Sequence, residues 1–381
     1  MYPFRPFYRF GSVATLHSLP LILCALILTT ACDTTDPEPV VEEKEMRKEV
    51  PILSDFWGND LYDGIPVYGM TRGIGDTLFI SAASTSGADG LTTLRSDDGG
   101  ASWTALKKSA FDFPSTPVTP IPLVIHRAES SSRLFATYQN VIRELVFSSD
   151  GGETWQDVRV MDEFRDMAPL ESGNYLLVFP GSDHGTGGSW IYEDDFIERR
   201  QTGLEGDISL RRILVLESGD ILAGGFSGLY SSSDNGETFS LVSDLSFIDQ
   251  LSAVLEDKAS NQLFAADRNN IFVSSDKGVS WSPTKLDVYR YRPLELLLSP
   301  EGVLLALVSS ILEVSEDTTI KTPRRILVSL DSGETWKELG ELPTIQLMDL
   351  ELTTNGYVFV ATLDGVYKSK LPLMQFLDQA L

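Results

Sequence analysis

Residues 329–336 read Ser-Leu-Asp-Ser-Gly-Glu-Thr-Trp, and four further stretches repeat the design: 96–103 (SDDGGASW), 148–155 (SSDGGETW), 232–239 (SSDNGETF) and 274–281 (SSDKGVSW). Matches to Ser-x-Asp-x-Gly-x-Thr/Ser-aromatic, led by Ser96, Ser148, Ser232, Ser274 and Ser329, mark an internal repeat. The residue types suit a tight turn between two strands. Asp98, Asp150, Asp234, Asp276 and Asp331 can accept hydrogen bonds from N–H groups of their own turn. Gly100, Gly152, Gly236, Gly278 and Gly333 permit backbone angles that a Cβ forbids. Trp103, Trp155, Phe239, Trp281 and Trp336 begin the outgoing strand and carry a large ring to bury between repeats. Calcium binding is the competing reading of a spaced aspartate, but each repeat holds too few oxygens in ligand order.

The spacing counts the repeats. Gaps between successive turn aspartates are 52, 84, 42 and 55 residues. The gap of 84 is twice 42, so one repeat has lost its motif, and it is expected near 190–194 (WIYED). Another unit follows the fifth motif: 348–352, 357–362 and 365–369 read as strands, with Leu371 where the aspartate would stand. Apolar strands separated by turns such as 171–174 (ESGN), 217–220 (ESGD) and 300–302 (PEG) recur within the units. No segment sustains a helical period. Units of about 40–45 residues with four strands each, arranged radially, predict an all-β single seven-bladed β-propeller over residues 50–381. The last unit lacks a fourth strand. Residues 52–57 are expected to supply it and close the ring, with 371–381 as the alternative donor.

The motif resembles the Asp-box, or BNR, repeat of sialidase-like propellers. In size the chain is similar to the single seven-bladed propellers of the photosystem II assembly and stability factor type, and to the WD40/YVTN/BNR-like bacterial group, over roughly residues 50–381. That resemblance implies a partner-binding or assembly role, because its motifs specify fold rather than ligand. A sialidase-like glycoside hydrolase is the alternative. Sialidases carry a Phe/Tyr-Arg-Ile-Pro motif before the first box, whereas 64–68 reads GIPVY with no arginine before Ile65, and 289–293 (YRYRP) falls in another blade. No phosphate loop, Ser-His-Asp signature or dinucleotide fingerprint occurs. The chain has 3 histidines, so no His-rich metal site, and no cofactor, is expected.

The N-terminus reads as targeting sequence. Arg5 and Arg9 precede an apolar run at 19–28, too short to span a bilayer comfortably, and 29–32 (TTAC) resembles a lipobox with Thr29 in the usual leucine place. The expectation is a signal peptide over 1–31, a lipid on Cys32 that anchors the protein to a membrane, and a flexible acidic tether over 32–49. An ordinary cleaved signal peptide with an incidental cysteine is the other reading. Cys24 and Cys32 are the only cysteines, so the folded part has neither disulfide nor thiol chemistry. The location expected is the cell envelope: outer membrane, periplasm-facing or surface-exposed. Formal charge is −25, and loss of Arg5 and Arg9 leaves −27, which argues against nucleic acid as a partner.

In a propeller, strands run outward from the centre. The repeated turns join third to fourth strands, so all lie on one rim. Loops between second and third strands, and those between blades, open on the other face. Sequence irregularity gathers there, at 84–90, 106–122, 181–188 and 309–325. Arg165 and Asp166, Arg211 and Arg212, Asp249, Arg290 and Arg292, and Gln346 begin first strands and would ring the mouth. Such arginines suit a carboxylate, a phosphate or an acidic protein segment; solvated pairing with nearby acids is the competing reading. Asp183 and His184 sit in a Gly-rich loop, where the histidine is a ligand or acid/base candidate, or a solvated loop residue. The functional expectation is a monomeric, non-catalytic binder of an envelope protein or glycan.

Overall fold

The Ser-x-Asp turns are built almost identically at the level of single bonds. In the turn after strand Arg324–Ser329, the Ser329 hydroxyl donates to Asp331 Oδ1 (2.8 Å) and accepts from the Gly333 amide (2.9 Å). The Thr335 amide and hydroxyl then donate to the two oxygens of Asp331 (2.8 and 2.6 Å). Ser332 and Gly333 are both left-handed (φ 57 and 87), as are Asn235–Gly236, Lys277–Gly278 and Gly99–Gly100. The first of each pair is mostly not glycine, a cost of about 1–2 kcal/mol that the carboxylate's bonds offset. The Ser102 hydroxyl and amide and the Ser96 hydroxyl hold Asp98 down at about 2, and Thr238 and Ser232 do the same for Asp234. At Asp150 burial works the other way, but Thr154 and Ser148 outweigh it and its pKa is again about 2. These carboxylates therefore stay ionised through the ordinary carboxylate range.

The computed structural model describes residues 52–53, 56–60 and 64–380, apart from 74, 76, 84–90, 107–121, 128–132, 140–142, 151–152, 159–164, 180–187, 195, 197, 206–209, 226–227, 244–250, 311–312, 315–319, 322–323, 341 and 343–345. The signal segment, Cys32, the tether, Gly152, Asp183, His184 and Asp249 lie outside the described residues.

Among the described residues, seven sheets, each with four antiparallel strands, make the blades of a β-propeller. Their inner strands are Val67–Arg72, Pro122–Arg127, Asp166–Pro169, Leu210–Val215, Ala253–Asp257, Tyr291–Leu298 and Leu347–Leu352, for blades one to seven. Hydrophobic clusters straddle neighbouring blades rather than filling single ones. Tyr175, Leu177 and Phe179 of blade three pack with Phe135 and Leu145 of blade two, for example, and Leu304 and Trp336 of blade six with Phe264 and Ile271 of blade five. The seams are the core.

Each repeated turn also reaches back to the blade before it. Arg95 of blade one pairs with Glu153 in the turn of blade two (2.8 Å). Arg200 of blade three pairs with Glu237 in the turn of blade four. The Lys285 amide of blade five donates to Gly333 O of blade six (2.8 Å), and Lys368 Nζ of blade seven to Gly99 O of blade one (3.2 Å). The exposed ion pairs add only a few tenths of a kcal/mol each, on the order of surface bridges generally. The backbone bonds and buried rings hold the seam.

The blade without the motif keeps the same plan by other means. Strand Gly188–Tyr192 leads into a turn in which Glu193 N donates to Glu198 O (3.0 Å) and Phe196 N to Glu193 O (2.9 Å). Phe196 takes the left-handed angle (φ 58) and is buried against Tyr175, with rings stacked at 4.9 Å. Asp194 reaches back to Arg133 of blade two.

Ring closure differs in detail from expectation. The outer strand of blade seven is Trp57–Asp60, antiparallel to Gly365–Ser369, so only the end of the 52–57 stretch takes part. Ile52–Leu53 instead adds in parallel to Lys337–Leu339 at the outer edge of blade six. The alternative donor is not a strand at all: Leu373–Ala380 is an α-helix. Pro372 precedes it, where a missing N–H costs nothing, and Leu373, Phe376 and Leu377 form one buried stripe. The helix covers Phe56, which stacks edge-on to Phe376 (4.7 Å). Eight residues are too few for a period to show in sequence.

Candidate functional site

Inner strands are edge strands, with one row of backbone groups turned toward the channel and without a ladder partner. Two devices in the sequence deal with this edge.

The first is a slip in pairing near the start of the strand. Register shifts fall between Val67 and Gly69, Pro122 and Val124, Leu210 and Arg212, Pro293 and Glu295, and Leu347 and Asp349. One residue is skipped each time: Tyr68, Leu123, Arg211, Leu294 and Met348. Such bulges re-aim a side chain and end pairing where a site is built. Tyr68 and Leu294 are 42% and 41% exposed, which is high for large apolar side chains on inner strands. Tyr289, two residues before the blade-six inner strand, is 88% exposed. Leu294 of blade six and Tyr68 of blade one flank blade seven, so they mark one apolar sector of the mouth, while Met348 between them is half-buried against the core.

The second device is a set of carboxylates that bond amides on, or just after, the inner strand of the neighbouring blade. Asp166 Oδ2 accepts from Ile213 N (3.0 Å), joining blades three and four. Glu256 Oε2 accepts from Glu217 N (2.8 Å), joining five to four. Glu295 Oε2 accepts from Leu350 N (3.2 Å), joining six to seven. Asp349 Oδ2 and Glu351 Oε2 accept from Met70 N and Arg72 N (2.8 and 2.9 Å), joining seven to one. None of these acids except Asp166 stands out in sequence as a site residue. The signal available was acid alternating with apolar residues inside strands that had to be buried, as in 347–352 (LMDLEL).

The arginines begin inner strands at the mouth end, opposite the Ser-x-Asp turns, but they form two sectors rather than one ring. Arg165, Arg211 and Arg212 belong to blades three and four, and Arg290 and Arg292 to blade six. Arg212 is committed to structure: its Nε donates to Ser252 O of blade five (2.5 Å) and its Nη1 to Arg211 O (2.9 Å). Arg165 and Arg211 are half-buried. The Arg290 guanidinium lies 5.3 Å from the centre of the Tyr291 ring, while Arg292 is exposed. Gln346 is exposed at the start of the blade-seven strand, and its carbonyl accepts from Leu363 N (3.2 Å). Among the described residues no group of three or more His, Cys, Asp or Glu is placed to hold a metal ion. No helix of the described residues is long and apolar enough to cross a membrane.

No protein-family description and no curated protein matches this chain. Solved structures do, and they are β-propellers. YCF48 bound to a D1 peptide is 12% identical with a TM-score of 0.58, the match covering 85% of this chain and 98% of that one. A catalytically inactive virginiamycin B lyase from Staphylococcus aureus, with quinupristin, is 10% identical with a TM-score of 0.56, covering 83% and 98%. The extracellular domain of a one-component system from B. thetaiotaomicron is 12% identical with a TM-score of 0.54, covering 82% of this chain and 40% of that one. At these identities the likeness establishes the fold.

Proposed function

We propose that this chain is a lipid-anchored cell-envelope propeller, non-catalytic, that binds an acidic segment of a partner protein across the channel mouth. The observation that carries this reading is the composition of the mouth. In a chain of net charge −25, the inner strands of blades three, four and six place arginines at the end opposite the turns, beside an apolar sector set out by strand bulges. Arginine forks match carboxylates, and exposed aromatic and aliphatic groups beside them suit an apolar residue of the same peptide. The likeness to a propeller solved with a peptide and to an extracellular domain supports a protein ligand outside the cytoplasm. Anchoring through Cys32 and cleavage after residue 31 belong to the same proposal. Mass spectrometry of the purified mature protein tests them by looking for a diacylglyceryl cysteine at its N-terminus.

The binding test uses Arg290 and Arg292, because Arg212 also holds the seam to blade five and its loss would confuse binding with stability. Changing Arg290 and Arg292 together to Glu is expected to weaken capture of an acidic, aromatic-containing peptide by roughly tenfold or more, with unchanged unfolding midpoint. Binding should also weaken as ionic strength rises, since the charges are partly solvated. Turnover of fluorogenic sialosides or other glycosides by the purified protein would sink the reading in favour of a glycoside hydrolase.

A further inference from the structure

Three of the channel carboxylates do more than bond amides. Glu295 of blade six and Asp349 of blade seven meet at one donor, the Leu350 amide, which lies 3.2 Å from Glu295 Oε2 and 3.0 Å from Asp349 Oδ1. Two carboxyl groups brought this close repel each other when both are ionised, and a proton held by one relieves the repulsion. Both also accept backbone amides: Glu295 from Leu350, and Asp349 from Met70 and from Leu350, the last at 3.0 Å. Glu351, two residues on, bridges Arg72 N of blade one and Leu352 N of its own strand (2.9 and 3.1 Å). The three groups thus span both seams of blade seven, the blade that the N-terminal strand Trp57–Asp60 completes.

We propose that Glu295, Asp349 and Glu351 form a proton-operated clasp on the closing blade, tight while a proton is shared in the cluster and loosened when all three carboxyls ionise. The surroundings set where this happens. Burial raises Glu295 well above the ordinary carboxylate range, and the charge of Asp349 raises it further. Burial also raises Asp349, against the amides that favour its charged form. Glu351 is pushed up to about 7 by burial, with the Arg72 amide and guanidinium opposing.

Among the described residues one other cation, Arg324 of blade six, reaches this strand, but it is bonded to Leu347 O and lies on Met348 Sδ, and the remaining charged groups on the packed elements turn elsewhere. Arg292 is exposed at the mouth, and Tyr291 faces Arg290, Glu338 and Arg325. On the blade-five inner strand, Glu256 bonds to Glu217 N and Asp257 to Ser260 in its own hairpin. Strands Leu78–Ala83, Leu304–Ser310 and Val358–Thr362 carry no titratable group, and the side chains of His126 and Arg127 lie outside the described residues.

The direction follows from linkage. A carboxyl whose folded pKa lies above its unfolded value binds more protons in the native state. Its contribution is present at low pH and is lost as pH rises through the folded pKa. The clasp should therefore open on the alkaline side, opposite in sense to the turn aspartates. Amide hydrogen exchange of the full chain, corrected for intrinsic rates, tests this at about pH 6 and about pH 8.5. Protection of the Leu350, Met70 and Arg72 amides is expected to fall by about tenfold relative to Ile213, the amide held by Asp166 elsewhere in the ring. In Glu295→Gln, which removes one of the two carboxyls that meet at the Leu350 amide, the fall at Leu350 should vanish. Should that variant not fold, the wild-type comparison decides by itself. Equal pH dependence at Leu350 and Ile213 in the wild-type chain overturns the proposal.

Discussion

Phe56→Ala is expected to destabilise the ring by about 3–5 kcal/mol, as large-to-small changes of a buried phenylalanine generally do. Phe56 is 0% exposed, although it precedes the first blade in sequence. It packs edge-on to Trp57 (4.7 Å, 79°) and to Phe376 of the C-terminal helix, within a cluster that includes Leu339 of blade six and Val360 and Tyr367 of blade seven. Its carbonyl accepts from Lys370 N (2.9 Å), and the Trp57 indole donates to Leu339 O (2.8 Å). One ring therefore joins the closing strand, the last two blades and the helix, and none of these can collapse into the cavity without breaking closure. Urea unfolding measures the effect. Leu241→Ala, at a site 57% exposed, is the control and should stay within about 0.5 kcal/mol. A loss under about 1 kcal/mol for Phe56→Ala would mean that closure rests on the backbone ladder alone.

The second large effect is Gly333→Ala. The glycine has φ +87, and an added Cβ would sit 2.4 Å from Thr284 Cγ2 and 2.6 Å from Thr284 Cβ. Thr284 is buried at the edge of blade five, and the next residue, Lys285, is bonded to the carbonyl of Gly333 itself (2.8 Å). The clash cannot be relieved without separating blade six from blade five. Gly173 supplies the contrast: it has φ +88 but open space where the Cβ would go. Gly173→Ala should cost about 1 kcal/mol, the conformational part alone, and Gly333→Ala about 3 kcal/mol or more. Equal losses in thermal or urea unfolding would show that the turn does not press on the preceding blade.

These positions also show what the sequence revealed and where it fell silent. The Ser-x-Asp turns were legible because each closes on itself within eight residues, through bonds such as Asp331 to Thr335, so residue identity and local geometry are nearly the same statement. The blade count followed from their spacing. That each turn also grips the blade before it was not legible, since Gly333 meets Thr284 only after the ring has formed. The blade lacking the motif was placed correctly by arithmetic, yet nothing in WIYED foretold that a buried Phe196 would take the left-handed position.

The mouth divides the same way. Arginines at strand starts were visible as a pattern, but Arg212 turned out to hold a backbone carbonyl, a commitment that depends on where Ser252 of the next blade lies. The channel acids were hardest to read. In a chain with 55 acidic residues, Glu295, Asp349 and Glu351 look like solvated charge until the inner-strand edges they bond are brought together.

The proposed binding role depends on which face of the ring takes the ligand. Hydrogen exchange of the mature protein, with and without a saturating acidic peptide that carries one aromatic residue, measures this directly. New protection is expected at the mouth, over strand Asp166–Pro169, the start of Leu210–Val215 and residues 289–294, with the Ser-x-Asp turns unchanged. Protection confined to the turns, for instance at 331–336, with the mouth unaltered, would contradict it.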